Sequence, residues 1–274
     1  MPESPEIQVK RREEEARIRA TTAPIIEHLV ELRKRLSIVL VVLAVAFLLC
    51  WSVSDLLYDF LTRPLARAFG DQEGRRMIFT ALHEAFFTRV KVAFFGALCI
   101  ALPVGAVQLW KFVAPGLYDD ERQAFWPFLV ATPILFLTGA ALVYFGIIPL
   151  AWEFFLGFEQ PGGDGSLAVQ LEARVSEYLD LVTRLILAFG CAFQLPVLLV
   201  LMARAGLIDA DSLVKGRKYA VLAVFALAAV ITPPDIVSQI GLGGAMLLLY
   251  EAAILVIRRT ARRARGDTED AKAV

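Results

Sequence analysis

Residues 36–53 run for eighteen positions without one charged side chain, and five further apolar stretches follow. Stretches of this kind are sized for the hydrocarbon layer of a bilayer. No water is available there to bond a free N–H or C=O, so each stretch must be a helix packed in a bundle. The expected fold is all-α and polytopic, with six transmembrane helices near residues 36–53, 92–110, 125–150, 181–203, 219–231 and 240–257. A mean hydropathy of +0.62 and an apolar share of 58% agree, since soluble domains are roughly half apolar and a quarter charged.

The 28 Lys and Arg balance the 28 Asp and Glu, so net charge gives no pull toward nucleic acid. Their distribution is more informative. Alternate loops carry 20 Lys and Arg on the side of the termini and 7 on the other, with Arg184 inside span four. The positive-inside rule then places both termini in the cytoplasm. Three regions follow: a charge-rich tail over 1–27 expected to be disordered or weakly helical, a six-helix membrane domain over 28–260, and a second cytoplasmic tail over 261–274. Residues 1–27 are polar, and no cleavable leader or transit segment is expected among them. Cys50, Cys99 and Cys191 sit in apolar segments without metal-like spacing and read as small packing residues.

Two segments depart from the plain pattern. In residues 55–69, Leu56, Leu57, Phe60, Leu61, Pro64, Leu65 and Phe69 share one helical face, with Asp59, Arg63 and Arg67 on the other. This predicts an amphipathic helix on the outer (periplasmic) side, lying on the membrane or capping the bundle. Spans five and six are expected to be short, because thirteen residues at about 1.5 Å each fall well below a ~30 Å hydrocarbon layer. Thr232-Pro233-Pro234-Asp235 ends the helix between them. Local thinning of the bilayer is the expected accommodation, since Asp235 would be costly to bury.

No phosphate-binding loop, His-Glu-x-x-His or Gly-x-Ser-x-Gly is present, and the histidines are His28 and His83. No catalytic residue, metal site or cofactor is expected, and the chain is not read as an enzyme. The candidate chemistry lies in carboxylates at the cytoplasmic boundary. In His28–Leu36, Glu31 stands among cations, either as the i, i+4 partner of Arg35 or as a receptor for a visiting cation. In Trp110–Arg122, Asp119, Asp120 and Glu121 reverse the sign expected inside. They suit either helix N-capping or an Arg-rich segment, because a carboxylate accepts paired N–H bonds from guanidinium.

Those two segments, together with Ala188–Pro196 and Ile231–Gln239, resemble the TatC family, the multi-spanning receptor subunit of the twin-arginine protein translocase. The resemblance covers residues 24–260 in order. It implies a receptor for twin-arginine signal peptides and a scaffold that exports folded proteins across the bacterial inner membrane, driven by the proton-motive force. It places Glu31 and Glu121 where the family binds the paired arginines, with Arg33 beside them and Phe112 and Pro115 shaping the loop. Pro64 would shape the outer helix. Thr232 and Gln239 match positions that contact single-span TatB- and TatA-like subunits, and self-association in a larger complex is implied. Many members carry Glu where this chain has Gln194, an amide that does not titrate but can still bond a partner helix.

Arg184 is expected to snorkel or to pair with Asp180. Glu251 is expected deeper in span six, as a buried polar group with either a functional or a packing role. A rival reading makes Gln194, Arg184 and Glu251 the lining of a midplane site in a secondary transporter of a small solute or cation.

Overall fold

The computed structural model describes residues 5–70, 74–113, 126–160, 162–163, 167–204, 206–232 and 235–270. Apart from isolated bridges at Ile78–Arg174 and Gln160–Val169, these residues form helices and connecting turns. The order is α1 (Pro5–Ser52), α2 (Ser54–Phe69), α3 (Glu84–Val113), α4 (Trp126–Leu142), a π segment (Val143–Ile147), α5 (Ile148–Leu156), α6 (Val175–Ala192), α7 (Leu195–Arg204), α8 (Ala210–Ile231) and α9 (Ile236–Asp270).

Among the described residues, five helical stretches are long and apolar enough to cross a membrane: Leu29–Ser52, Glu84–Leu109, Val130–Leu156, Val175–Arg204 and Ile236–Thr260. The remaining expected span, span five, lies in α8. This helix has 22 residues, about 33 Å at 1.5 Å each, but its first turns carry Asp211, Lys215, Arg217 and Lys218. What is short is its apolar part, not the helix, and α9 reaches 35 residues. The expected shortness of these two helices is corrected accordingly. The two are antiparallel, because Tyr250 Oη donates to the Leu213 carbonyl while α8 ends at Ile231 and α9 starts at Ile236. At the ends of the chain, α1 starts at Pro5 and α9 runs to Asp270. Most of residues 1–27 is therefore helical, the second of the two expected states.

Two spans are interrupted where proline dictates. Pro149 has no N–H to give the preceding turn, and the residues just before it widen into the π segment. Pro196 sits in the first turn of α7, so the fourth span breaks at Phe193 and Gln194 rather than running straight through. Opposite this break, α4 and α6 cross closely enough that a Cβ on Gly139 or Gly190 would fall within 3 Å of the other helix.

The amphipathic helix forms as α2 and caps the bundle. Leu61, Pro64, Leu65 and Phe69 are buried, joining Val143, Ile148, Leu179, Val182 and Phe189 in the core, whereas Leu56 and Phe60 face outward. Pro64 explains how α2 is held. It cannot bond the Phe60 carbonyl one turn back, and Tyr144 Oη from the π segment donates to that oxygen instead. Tyr178 Oη of α6 donates to the Leu61 carbonyl at 2.8 Å.

At the rim where α2 lies, the connections are tied by charge-assisted bonds. Arg75 meets both oxygens of Glu159 at 2.5 Å, and the Leu171 amide adds a third bond to that carboxylate. Glu84 accepts from the Thr80, Ala81 and Ser176 amides and from Ser176 Oγ. Lys91 bonds both oxygens of Asp180 at 2.9 Å, which corrects the expected Arg184–Asp180 pair, and Arg184 is exposed.

The Arg75 bonds, then the Leu171 amide, hold the Glu159 carboxyl at about 2, below the ordinary 4.5. Because the folded value is depressed, its stabilisation is complete above about pH 4.5 and is lost as pH falls toward 2. A Glu159→Gln variant should melt lower than wild type at neutral pH and lose less further stability over that acid window. Parallel melting curves across the window would refute this role.

Candidate functional site at the meeting of the first and third helices

The register of α1 against α3 follows from close approaches along both helices. A Cβ on Gly96 would meet Cys50 Sγ at 2.9 Å, and one on Gly105 would meet Val39 at 3.7 Å. Continuing this antiparallel run brings the turn containing Glu31 and Arg35 beside the last turns of α3. Their i, i+4 spacing puts both side chains on one face, and Arg35 Nη2 donates to Glu31 Oε1 at 2.7 Å. Arg35 also donates to Gln108 Oε1 at 3.3 Å and to the Lys111 carbonyl at 3.4 Å. A helix C-terminus carries unbonded carbonyls and partial negative charge, so carboxylate and helix end favour the same cation.

The pair is neither deep nor free in water: Arg35 is 26% exposed and Glu31 32%. Among the described residues Glu31 Oε2 accepts no hydrogen bond. Arg33 lies on an exposed face, its carbonyl accepting from Ser37 Oγ at 2.8 Å. Phe112 is half-buried at the end of α3. Pro115 and Glu121 lie outside the described residues. The sequence offers Arg35 as one partner of Glu31, but it gives no sign of Gln108 or the Lys111 carbonyl. They arrive from 73 and 76 positions away, and no local pattern signals such a contact.

The remaining candidates are dispersed. Gln194 Nε2 donates to the Thr132 carbonyl at 2.9 Å, so the amide ties the broken fourth span to α4. It also lines a cavity of about 440 Å³ whose other walls are apolar, among them Leu109, Leu198, Leu227 and Met246. Glu251 is not the buried acid expected. It is 45% exposed and bonds Arg217 of α8 at 2.6 Å. At this point one face of α9 meets the charged first turns of α8, while Ala253 and Ile254 on its other face stay buried. Neither Arg184 nor Glu251 lines the cavity at Gln194.

At the opposite rim Thr232 is buried and its hydroxyl donates to the Ala228 carbonyl at 2.9 Å, while Gln239 is half-buried in the first turn of α9. Asp235, expected to be costly to bury in hydrocarbon, is only 3% exposed, covered by the protein itself. The reason is local: it caps α9, with Oδ1 accepting from the Ser238 amide at 2.6 Å.

The family described as Sec-independent protein translocase protein (TatC) matches residues 27–244. The Sec-independent protein translocase protein TatC of Magnetococcus marinus is 45% identical over 250 residues, spanning 91% of this chain and 89% of that protein. The protein of the same name from Escherichia coli K12 is 36% identical, spanning 86% of this chain and 89% of its own length. A crystal structure of the twin arginine translocase receptor TatC superposes with a TM-score of 0.72 at 32% identity, covering 85% of this chain and 99% of that one. The transporter alternative gains no support from these likenesses. With its helical architecture, its apolar spans and these relatives, the chain belongs to the TatC family of multi-pass membrane proteins of the Sec-independent protein translocase.

Proposed function

We propose that this chain is the receptor for twin-arginine signal peptides and the scaffold on which a translocase for folded proteins assembles. One observation carries the reading: at the cytoplasmic helix ends Glu31 already holds a guanidinium, half out of water and beside the end of α3. A carboxylate placed so binds arginine in preference to lysine, because a guanidinium presents two parallel donors and an ammonium only a point charge. Glu31 takes one tag arginine and Glu121, in the segment that follows α3, takes the other. Phe112 gives the tag an apolar edge, and Arg33 takes part from the neighbouring face of α1.

The apolar part of the tag then lies along the bundle, where packing and hydrogen bonds rather than hydrophobicity select partners. Single-span subunits of the TatB and TatA kind dock along α8 and α9. Gln239 has an amide to offer them, whereas the Thr232 hydroxyl has spent its donor on Ala228 and can only accept. Gln194, at the cavity by the helix break, offers amide groups that do not titrate. Asp235 and Pro64 serve the architecture of the far rim, and Glu251 ties α9 to α8. The protein resides in the bacterial inner membrane with both termini in the cytoplasm, consistent with the Lys and Arg distribution. It has charged segments over 1–27 and 261–274 around a six-span domain. It binds and positions, without a catalytic residue or cofactor, and draws on the proton-motive force through the assembled complex.

The test is binding of a fluorescent peptide with an Arg-Arg pair ahead of an apolar segment to the purified chain in lipid nanodiscs. The Arg-Arg peptide should bind at least about tenfold tighter than its Lys-Lys counterpart. Equal affinities would remove the receptor reading.

A further inference from the structure

The group occupying Glu31 is the protein's own Arg35, and we propose that Arg35 is an internal stand-in for the tag arginine that sets the receptor's binding threshold. The inference rests on Glu31 being a tag-binding carboxylate. A carboxylate matches a guanidinium through two parallel bonds, one to each oxygen. Arg35 engages only Oε1, at 2.7 Å. A visiting arginine gains the full fork when Arg35 swings away.

Arg35 is held as a group that can leave. Its contacts to Gln108 and the Lys111 carbonyl are long, at 3.3 and 3.4 Å, and its Nε is buried with no partner among the described residues. Arg75 shows what a structural arginine looks like in the same molecule. It meets both oxygens of Glu159 at 2.5 Å and is 13% exposed, half the exposure of Arg35. Arg35 therefore neutralises Glu31 while the site is vacant, so that no half-buried carboxylate is left unpaired. It yields when a better-forked guanidinium arrives.

Competition of this kind has a definite signature. An occupant that blocks a site reduces the affinity of every ligand by the fraction of time the site is closed. Arg-Arg and Lys-Lys tags are weakened by the same factor, so their ratio stays fixed. The threshold moves, and weak tags fall below useful occupancy.

The full chain in nanodiscs, titrated with the Arg-Arg and Lys-Lys peptides, separates the outcomes. Arg35→Gln should tighten both peptides by about fivefold and leave their ratio unchanged. Arg35→Lys keeps a cation but not the fork, and should tighten both by a smaller factor. Glu31→Gln decides whether the foundation holds. If it binds the Arg-Arg peptide like wild type, Glu31 is outside the site and both readings fall. If it loses binding while Arg35→Gln binds no tighter than wild type, Arg35 only ties α1 to α3 and this inference alone falls. Melting curves accompany each variant. Should Arg35→Gln unfold, Arg35→Lys decides by the same rule, with equal or weaker binding overturning the proposal.

Discussion

A Glu31→Lys variant should bind the Arg-Arg peptide at least about 100-fold more weakly than wild type while melting within a few degrees of it. Removing one member of a hydrogen-bonded charge pair in a partly buried site costs roughly 2–5 kcal/mol of binding, and each 1.4 kcal/mol is tenfold. Reversal adds repulsion, because the new ammonium faces the arriving guanidinium and has Arg35 one turn away. The fold tolerates this, since the pair is about a quarter to a third exposed and a like-charge i, i+4 contact costs only a few tenths of a kcal/mol. The introduced ammonium and the Arg35 guanidinium can both turn to water. Glu121→Lys should abolish crosslinking of a twin-arginine signal peptide in membranes, for the same reason of charge. Normal crosslinking by Glu121→Lys would reject that residue's role, and normal binding by Glu31→Lys would reject the other. Because the two residues are tested by separate substitutions, loss at one and retention at the other would reduce the site to a single carboxylate.

How legible this was depended on whether the cause was local. The apolar stretches announced the spans because hydrocarbon leaves a chain no alternative to helix. The amphipathic spacing of residues 55–69 announced α2, and periodicity even chose the right buried face at Leu61, Leu65 and Phe69. It could not say that Leu56 and Phe60 turn outward, because that depends on which neighbours cover the helix. Glu31 and Arg35 were readable as a pair, being one turn apart. The Gln108 contact was not, being made by chain folding alone. Charges were misjudged where a distant partner or a cap decides. Glu251 seemed deep because span six was read as one apolar cylinder, yet Arg217 meets it from α8. Asp235 seemed too costly to bury, yet a helix N-terminus supplies an amide to its carboxylate. Prolines were visible at 149 and 196, but that the chain would answer with a π segment and a broken span is a packing outcome.

A Gly139→Val variant should lower the melting temperature by about 6–12 °C, the shift for about 3 kcal/mol in a chain this size. The crossing of α4 and α6 is built from reciprocal contacts. A Cβ on Gly139 would lie 2.7 Å from the Phe189 carbonyl oxygen and 2.8 Å from the Phe193 ring, while one on Gly190 would lie 2.4 Å from the Phe136 ring. A displaced phenylalanine can rotate away at Gly190, whereas at Gly139 the obstacle includes backbone, which moves only if the helices part. Overpacking a core costs about 1–3 kcal/mol, and the backbone clash puts this site at the upper end. Helix propensity argues the other way, since glycine in a helix interior is about 1 kcal/mol worse than alanine, so the sign of the effect separates packing from propensity. Gly244 supplies the comparison: nothing lies within 4 Å of a Cβ there, and Gly244→Ala should be neutral or slightly stabilising. Parting α4 from α6 would also stretch the Gln194–Thr132 bond, two turns along α4 from Gly139. The guanidinium site is built on α1 and α3, on contacts that include neither of these helices. The fraction of Gly139→Val that folds should therefore bind the Arg-Arg peptide with wild-type affinity, and a loss of affinity in folded protein would mean that the two ends of the bundle are coupled.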